Sequence, residues 1–192
     1  MRLAPLTLKL PFPRREPIRS AASDSLVASG LFLRHAVDAD LPFLQALFAS
    51  FRADEMQYLP WPQPQKDAFL NEQFRLQHHH FVSYFPGADF WIVEQLHRSG
   101  HNAPIGRFYI DRSNPLWHII DIGLLPDACG RGSGSALLQW AQAGAISADA
   151  AGIDLHVVVV NARAQKLYRS LGFRMDGTPE GYHQRMTWRA RA

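Results

Sequence analysis

At 192 residues the chain has room for one domain with a substantial core, and nothing in its composition forces two. Hydrophobic residues make up 47% and charged ones 19%, the ordinary balance of a soluble globular protein, and no apolar run approaches the roughly eighteen residues of a membrane helix. A single cysteine excludes an internal disulfide and a cysteine-rich metal site, and a net charge of +3 suits an anionic small molecule but is too weak to argue for nucleic acid.

Residues 1–30 read as a flexible extension. Pro5, Pro11, Pro13 and Pro17 break every local pattern, and Arg14, Arg15 and Arg19 make the segment basic. The sharper alternative is an arm that packs on the domain or on a partner. The domain is expected over 31–192. Leu31 to Leu33 opens it as a short strand. Asp38 and Asp40 then offer helix N-caps, with Pro42 in the first turn, and Leu41, Leu44, Phe48 and Phe51 follow at helical spacing. The stretch 52–64 reads as an ordered loop carrying Tyr58 and Trp61. A second helix is expected over 65–85, with Leu70, Phe74, Phe81 and Phe85 as its stripe. His78, His79 and His80 fall in it. Consecutive helical residues point about 100° apart, so three in a row do not converge on one metal, and no metal site is expected.

Three strands follow, over 89–95, 104–112 and 117–125, joined by tight turns and so antiparallel. Pro126 ends the third. After it comes CGRGSG over 129–134, then a helix over 133–148 with Leu137, Leu138 and Ala141 on one side. Strand, glycine loop and helix suit a phosphate, because glycines let the backbone approach a ligand and the first amides of a helix are unpaired donors. The loop lacks the Gly-Lys-Ser/Thr ending of a nucleoside-triphosphate loop and the spacing of a dinucleotide loop. Taken alone, it equally fits a tight turn that starts a helix. A β-branched strand is expected over 152–160, parallel to the strand before it because a helix makes the crossover. A helix over 162–171 ending at Gly172 and a hairpin of 173–176 with 182–188 close the chain.

Thirty residues beyond the glycine loop the chain reads NARAQKLYRSLGF over 161–173. The two stretches together resemble the GNAT family of N-acetyltransferases. That family carries R/Q-x-x-G-x-G/A between a strand and a helix, then N-x-x-A-x-x-L-Y-x-x-x-G-F after a second strand. The resemblance covers roughly residues 31–189 in element order. It departs at Cys129, which stands where Arg or Gln is usual. In the family that position meets the ligand largely through its backbone, so binding is expected to survive.

The resemblance implies an α/β fold with a mixed, mostly antiparallel sheet and one parallel pair splayed at the ligand site. It implies acetyl-CoA as co-substrate and acetyl transfer to a primary amine by direct attack in a ternary complex. The pyrophosphate would lie on the amides of Gly130, Gly132, Ser133 and Gly134 beside Cys129, with Arg131 as an added charge. Pantetheine would lie along the backbones of Ile122 and Leu124, and Asn161 would hold it or a water. Tyr168 falls where the family protonates the leaving thiolate; on its own, a Tyr after a Leu on a helix is usually a core residue. For the base, His118 lies at the family's acidic position, and strand alternation puts Asp121 on the opposite face from it. Water and Glu55 are the other candidates. Tyr58 and Trp61 lie in the segment that borders the acceptor pocket in the family. The expected partner is a small-molecule or peptide amine, with no nucleic acid and no membrane, and the family is often dimeric. A cytoplasmic protein is expected. Two other readings stay open: a non-catalytic acyl-CoA-binding regulatory domain on the same fold, and an acyltransferase with another acyl group or an oxygen acceptor.

Overall fold

A computed structural model describes residues 10–13, 23–96 and 100–190. The predicted extension over 1–30 falls largely outside these. In its described parts Phe12 is buried, and a short helix α1 spans Ser23–Ala28 with Leu26 buried. Contacts gather the chain into two compact units, 1–14 with 36–86 and 15–35 with 87–192.

The first unit is helical. A 3-10 turn over Asp38–Asp40 leads into α2, Leu41–Ser50, which carries Pro42 in its first turn as the sequence suggests. The expected loop after it contains a further helix, α3, Ala53–Gln57. Helix α4 spans Gln63–Tyr84. The apolar stripes of α2 and α4 meet where Phe48 and Phe74 pack with ring centroids 5.8 Å apart. Within the histidine run, His78 is a structural residue. Its Nε2 lies 2.9 Å from the Leu10 carbonyl, and its ring packs edge-on to Phe12 at 4.8 Å.

The second unit is a seven-stranded sheet with α1, α5 (Ser133–Ser147) and α6 (Ala162–Ser170). Its strands are β1 Leu31–His35, β2 Asp89–Leu96, β3 Asn102–Asp111, β4 Leu116–Leu124, β5 Gly152–Val158, β6 Arg174–Met175 and β7 His183–Arg189, in the order β1-β2-β3-β4-β5-β7-β6. Every pair is antiparallel except β4 with β5. The core lies on one face, where Phe108, Ile110, Ile119, Ile153 and Leu155 meet Leu137, Leu138 and Ala141 of α5 and Tyr168 of α6. No helix among the described residues is long and apolar enough to cross a membrane.

Two irregularities in β4 position the site. The first is a bulge. Tyr109 of β3 faces Asp121, but Ile110 faces Ile119, so Ile120 is an extra residue. The side-chain parity flips there. Trp117 and Ile119 point into the core before the bulge, and Ile122 and Leu124 pack against it after the bulge. His118 and Asp121 therefore share the face away from the core, which corrects the simple alternation expected from the sequence. The second is a splay. The parallel pairing of β4 with β5 runs only from Leu116–Gly152 to Ile119–Leu155, though both strands continue.

Candidate functional site

The opening between the ends of β4 and β5 holds a cleft of about 390 Å³. Ile122 and Leu124 form one wall. Cys129, Gly130, Gly132, Gly134 and Ser135 form the mouth, and Asn161, Arg163, Ala164, Leu167 and Tyr168 form the other side. The β4 wall offers backbone groups that β5 does not pair, since the pairing ends at Ile119–Leu155. The Leu125 N–H donates to the Ile105 carbonyl 2.8 Å away on the β3 side. Backbone direction alternates along a strand, so the amides and carbonyls of Leu124 and Ile122 point to the opposite edge, into the opening. This is the edge an extended amide-bearing ligand needs.

The mouth is shaped by glycine where the backbone requires it. Gly130 and Gly132 have φ of 77° and 88°, the left-handed region, and Gly132 caps α5. The first amides of α5 follow directly. Cys129 turns its thiol inward to donate to the Leu124 carbonyl at 3.7 Å, tying the loop to β4. Arg131 is exposed and Ser133 is buried at the helix start; neither lines the cleft. Arg163, which the sequence reading passes over, does line it. Its guanidinium stands 3.4 Å from where a Cβ on Gly130 would lie. The signal was a basic residue in the first turn of α6, where an arginine is otherwise mismatched to the helix dipole. Arg163→Gln is expected to weaken CoA binding about ten-fold, the loss of one charge-assisted phosphate contact. Calorimetry at two salt concentrations checks it: the defect should shrink as salt rises.

Asn161 caps α6, its Oδ1 accepting from the Ala164 N–H at 3.0 Å. It thus has a structural duty in addition to its place on the cleft wall. Tyr168 is buried at 7% exposure, packs against Phe173, and forms part of the cleft lining. Burial, and to a lesser degree the negative charge of Asp121, push its phenol up to about 12. The group is protonated throughout the physiological range, which suits a hydrogen-bond donor and not a base.

His118 and Asp121 do not line the cleft; they sit on the face of β4 away from the core. Asp121 is engaged by Arg107, a guanidinium that is 2% exposed and whose Nε donates to the carboxylate. His118 pairs in register with Asp154 on β5, one step below the last paired residues, and its Nδ1 lies 2.7 Å from Asp154 Oδ1. Burial pushes the Asp154 carboxyl up, but hydrogen bonds from His118 and Arg185 outweigh it and leave the group below its ordinary value. His156 lies beside them, ring centroids 5.6 Å from His118; burial first, then the charge of His118, hold its imidazole below its usual value. Tyr58 and Trp61 belong to the first unit. Tyr58 is 82% exposed, and Trp61 packs edge-on to Phe69 at 5.5 Å. Among the described residues no cluster of three or more His, Cys, Asp or Glu could hold a metal.

A splayed parallel pair with a glycine-mouthed cleft and a buried tyrosine defines an acyl-CoA-binding transferase fold. The model of the acetyltransferase (GNAT) family matches residues 47–173, and the chain belongs to that family. It is an N-acetyltransferase with acetyl-CoA as co-substrate. No curated protein matches the chain in sequence. Solved structures share its fold. One is the PaiA N-acetyltransferase from Thermoplasma acidophilum in complex with coenzyme A, 15% identical over 83% of this chain and 98% of that one, TM-score 0.59. Another is spermidine N-acetyltransferase from Vibrio cholerae in complex with CoA and spermine, 22% identical over 84% and 96%, TM-score 0.56.

Proposed function

We propose that the chain moves the acetyl group of acetyl-CoA to a primary amine by direct attack in a ternary complex. His118 takes the amine's proton, and Tyr168 donates to the departing sulfur. The observation that carries this reading is the splay of β4 from β5. It leaves the backbone edge of Ile122 and Leu124 without a strand partner on that side, with the glycine loop at one end and Tyr168 in the wall. An extended pantetheine laid along that edge from the loop would run toward the Ile119–Leu155 pair, and His118 is one residue below it. His118 is preferred to Asp121 because the Asp121 carboxylate is committed to buried Arg107. Asp121 serves indirectly, as a charge that favours the protonated phenol of Tyr168. In the family the CoA phosphates rest on the loop, here the amides of Gly130 to Gly134 with Arg163 beside them. Acetyl-CoA is made inside cells, so the reaction belongs in the cytoplasm.

The acceptor class is a primary amine. The Vibrio cholerae relative was crystallised with spermine, so polyamines head a screen that continues with simple alkylamines and peptide N-termini. Titration calorimetry of acetyl-CoA, CoA and NAD against the full chain tests the cleft first. Micromolar-range binding of both CoA species with none for NAD is expected, followed by amine-dependent thiol release. Absence of binding by either CoA species would sink the reading.

A further inference from the structure

The polar strip on the sheet face away from the core is built by register. The parallel pairing sets His118 against Asp154, and Arg185 on β7 reaches Asp154 diagonally. Nδ1 of His118 meets Oδ1 at 2.7 Å. The other oxygen, Oδ2, accepts from Arg185 Nε at 2.8 Å and from a second guanidinium nitrogen at 2.6 Å. Both carboxylate oxygens are thus used, and Asp154 is 7% exposed. The other charged or titratable groups on or against this strip are Asp111, opposite His118 on β3, His156 on β5, Asp176 at 3.7 Å from Arg185, Glu180, whose charge acts on His156 and Arg185, and Asp121 with Arg107 further along β4 and β3.

An ionised carboxylate only accepts hydrogen bonds. The neutral ring opposite it must therefore donate from Nδ1, which leaves the lone pair on Nε2. We infer that Asp154, braced by Arg185, is a positioning residue that holds His118 in the Nδ1–H tautomer and so makes Nε2 the atom that receives the acceptor's proton. This rests on the reading of His118 as base. In the step it serves, the amine nitrogen bonds to the acetyl carbon and the C–S bond breaks. One amine proton passes to Nε2 and on to solvent. The thiolate leaves under the hydrogen bond of Tyr168 and takes its proton from solvent. The Nδ1 proton stays on the ring throughout, and its bond to Asp154 strengthens as the ring becomes charged.

The test is nitrogen NMR on the labelled full chain, with the His118 signals identified by their loss in His118→Asn. At a pH where the ring is neutral, wild type should show the Nδ1–H tautomer, and Asp154→Asn should shift the population to the Nε2–H form. Arg185→Gln, which leaves both His118 and the carboxylate in place, should give a smaller shift of the same sign. This arm needs no acceptor, and His118 found as the Nε2–H form in wild type overturns the inference. Thiol release with acetyl-CoA and the amine chosen by the screen gives the second readout. Asp154→Asn should lower kcat by about ten-fold or more, with KM for acetyl-CoA unchanged. In a His118→Asn background it should cost nothing further. An equal loss in both backgrounds makes Asp154 merely structural and overturns the inference alone. Wild-type kcat in His118→Asn overturns the base reading, and the positioning role with it.

Discussion

Tyr168→Phe is predicted to lower kcat about a hundred-fold while leaving the affinity for acetyl-CoA within about two-fold. The change removes one oxygen and no packing, because the ring stays against Phe173 in the core. The hydroxyl is raised to about 12, burial being the larger cause and the charge of Asp121 the smaller. A thiolate has an ordinary value of about 8.5, so complete proton transfer to it would be uphill by about 5 kcal/mol. The phenol therefore works by donating a hydrogen bond to sulfur as negative charge develops there. Such a bond is stronger in the transition state than in the thioester, so its loss falls on kcat and not on binding. The sign with pH follows from the same value. Tyr168 keeps its proton, and no basic limb of the rate profile below about 12 comes from it. Steady-state kinetics with calorimetry of both proteins decides the matter. A kcat unchanged by the substitution would remove Tyr168 from the chemistry. A large loss of acetyl-CoA affinity would make it a wall residue only.

Much of this site is legible in the sequence because local chemistry writes it. The glycine loop announces itself by composition, and CGRGSG falls at the mouth of the cleft. The order of strands and helices over 89–171 follows from periodicity and breakers, and the bounds agree within one or two residues for most elements. What escapes is set by pairing between strands. The bulge at Ile120 exists only in the register of β4 on β3, so alternation misplaced Asp121 relative to His118. Asp154 is the same kind of case. It and His156 alternate with Ile153, Leu155 and Val157, which is a readable sign of a polar face. That the face meets His118 depends on the parallel register. The helix α3 escaped because five residues among aromatics and prolines give no periodicity to read. Arg163 sits at a variable position of the motif and reads there as surface.

Gly106→Ala is the second change expected to be severe, and it joins the fold to the cleft. Gly106 lies on β3 opposite Leu124. A Cβ there would press on the Gly123 carbonyl oxygen, a backbone atom, and would stand 2.6 Å from a Leu124 methyl. A side chain can swing aside, but a strand carbonyl moves only with its strand. Relief therefore requires the end of β4 to shift, and that end presents the backbone of Ile122 and Leu124 to the opening. The expected cost is about 3 kcal/mol of stability, at the upper end of overpacking. It should come with loss of CoA binding even at temperatures where the variant is folded. Gly87→Ala is the control: its Cβ would meet nothing closer than the Ser113 Cβ at 4.0 Å, so stability should stay within about 0.5 kcal/mol. Denaturant melts and calorimetry measure the two effects separately. A Gly106→Ala protein that is destabilised but binds CoA normally would show that the end of β4 relaxes without disturbing the edge offered to pantetheine. The proposed backbone route along Ile122 and Leu124 would then need to be abandoned in favour of recognition at the glycine loop alone.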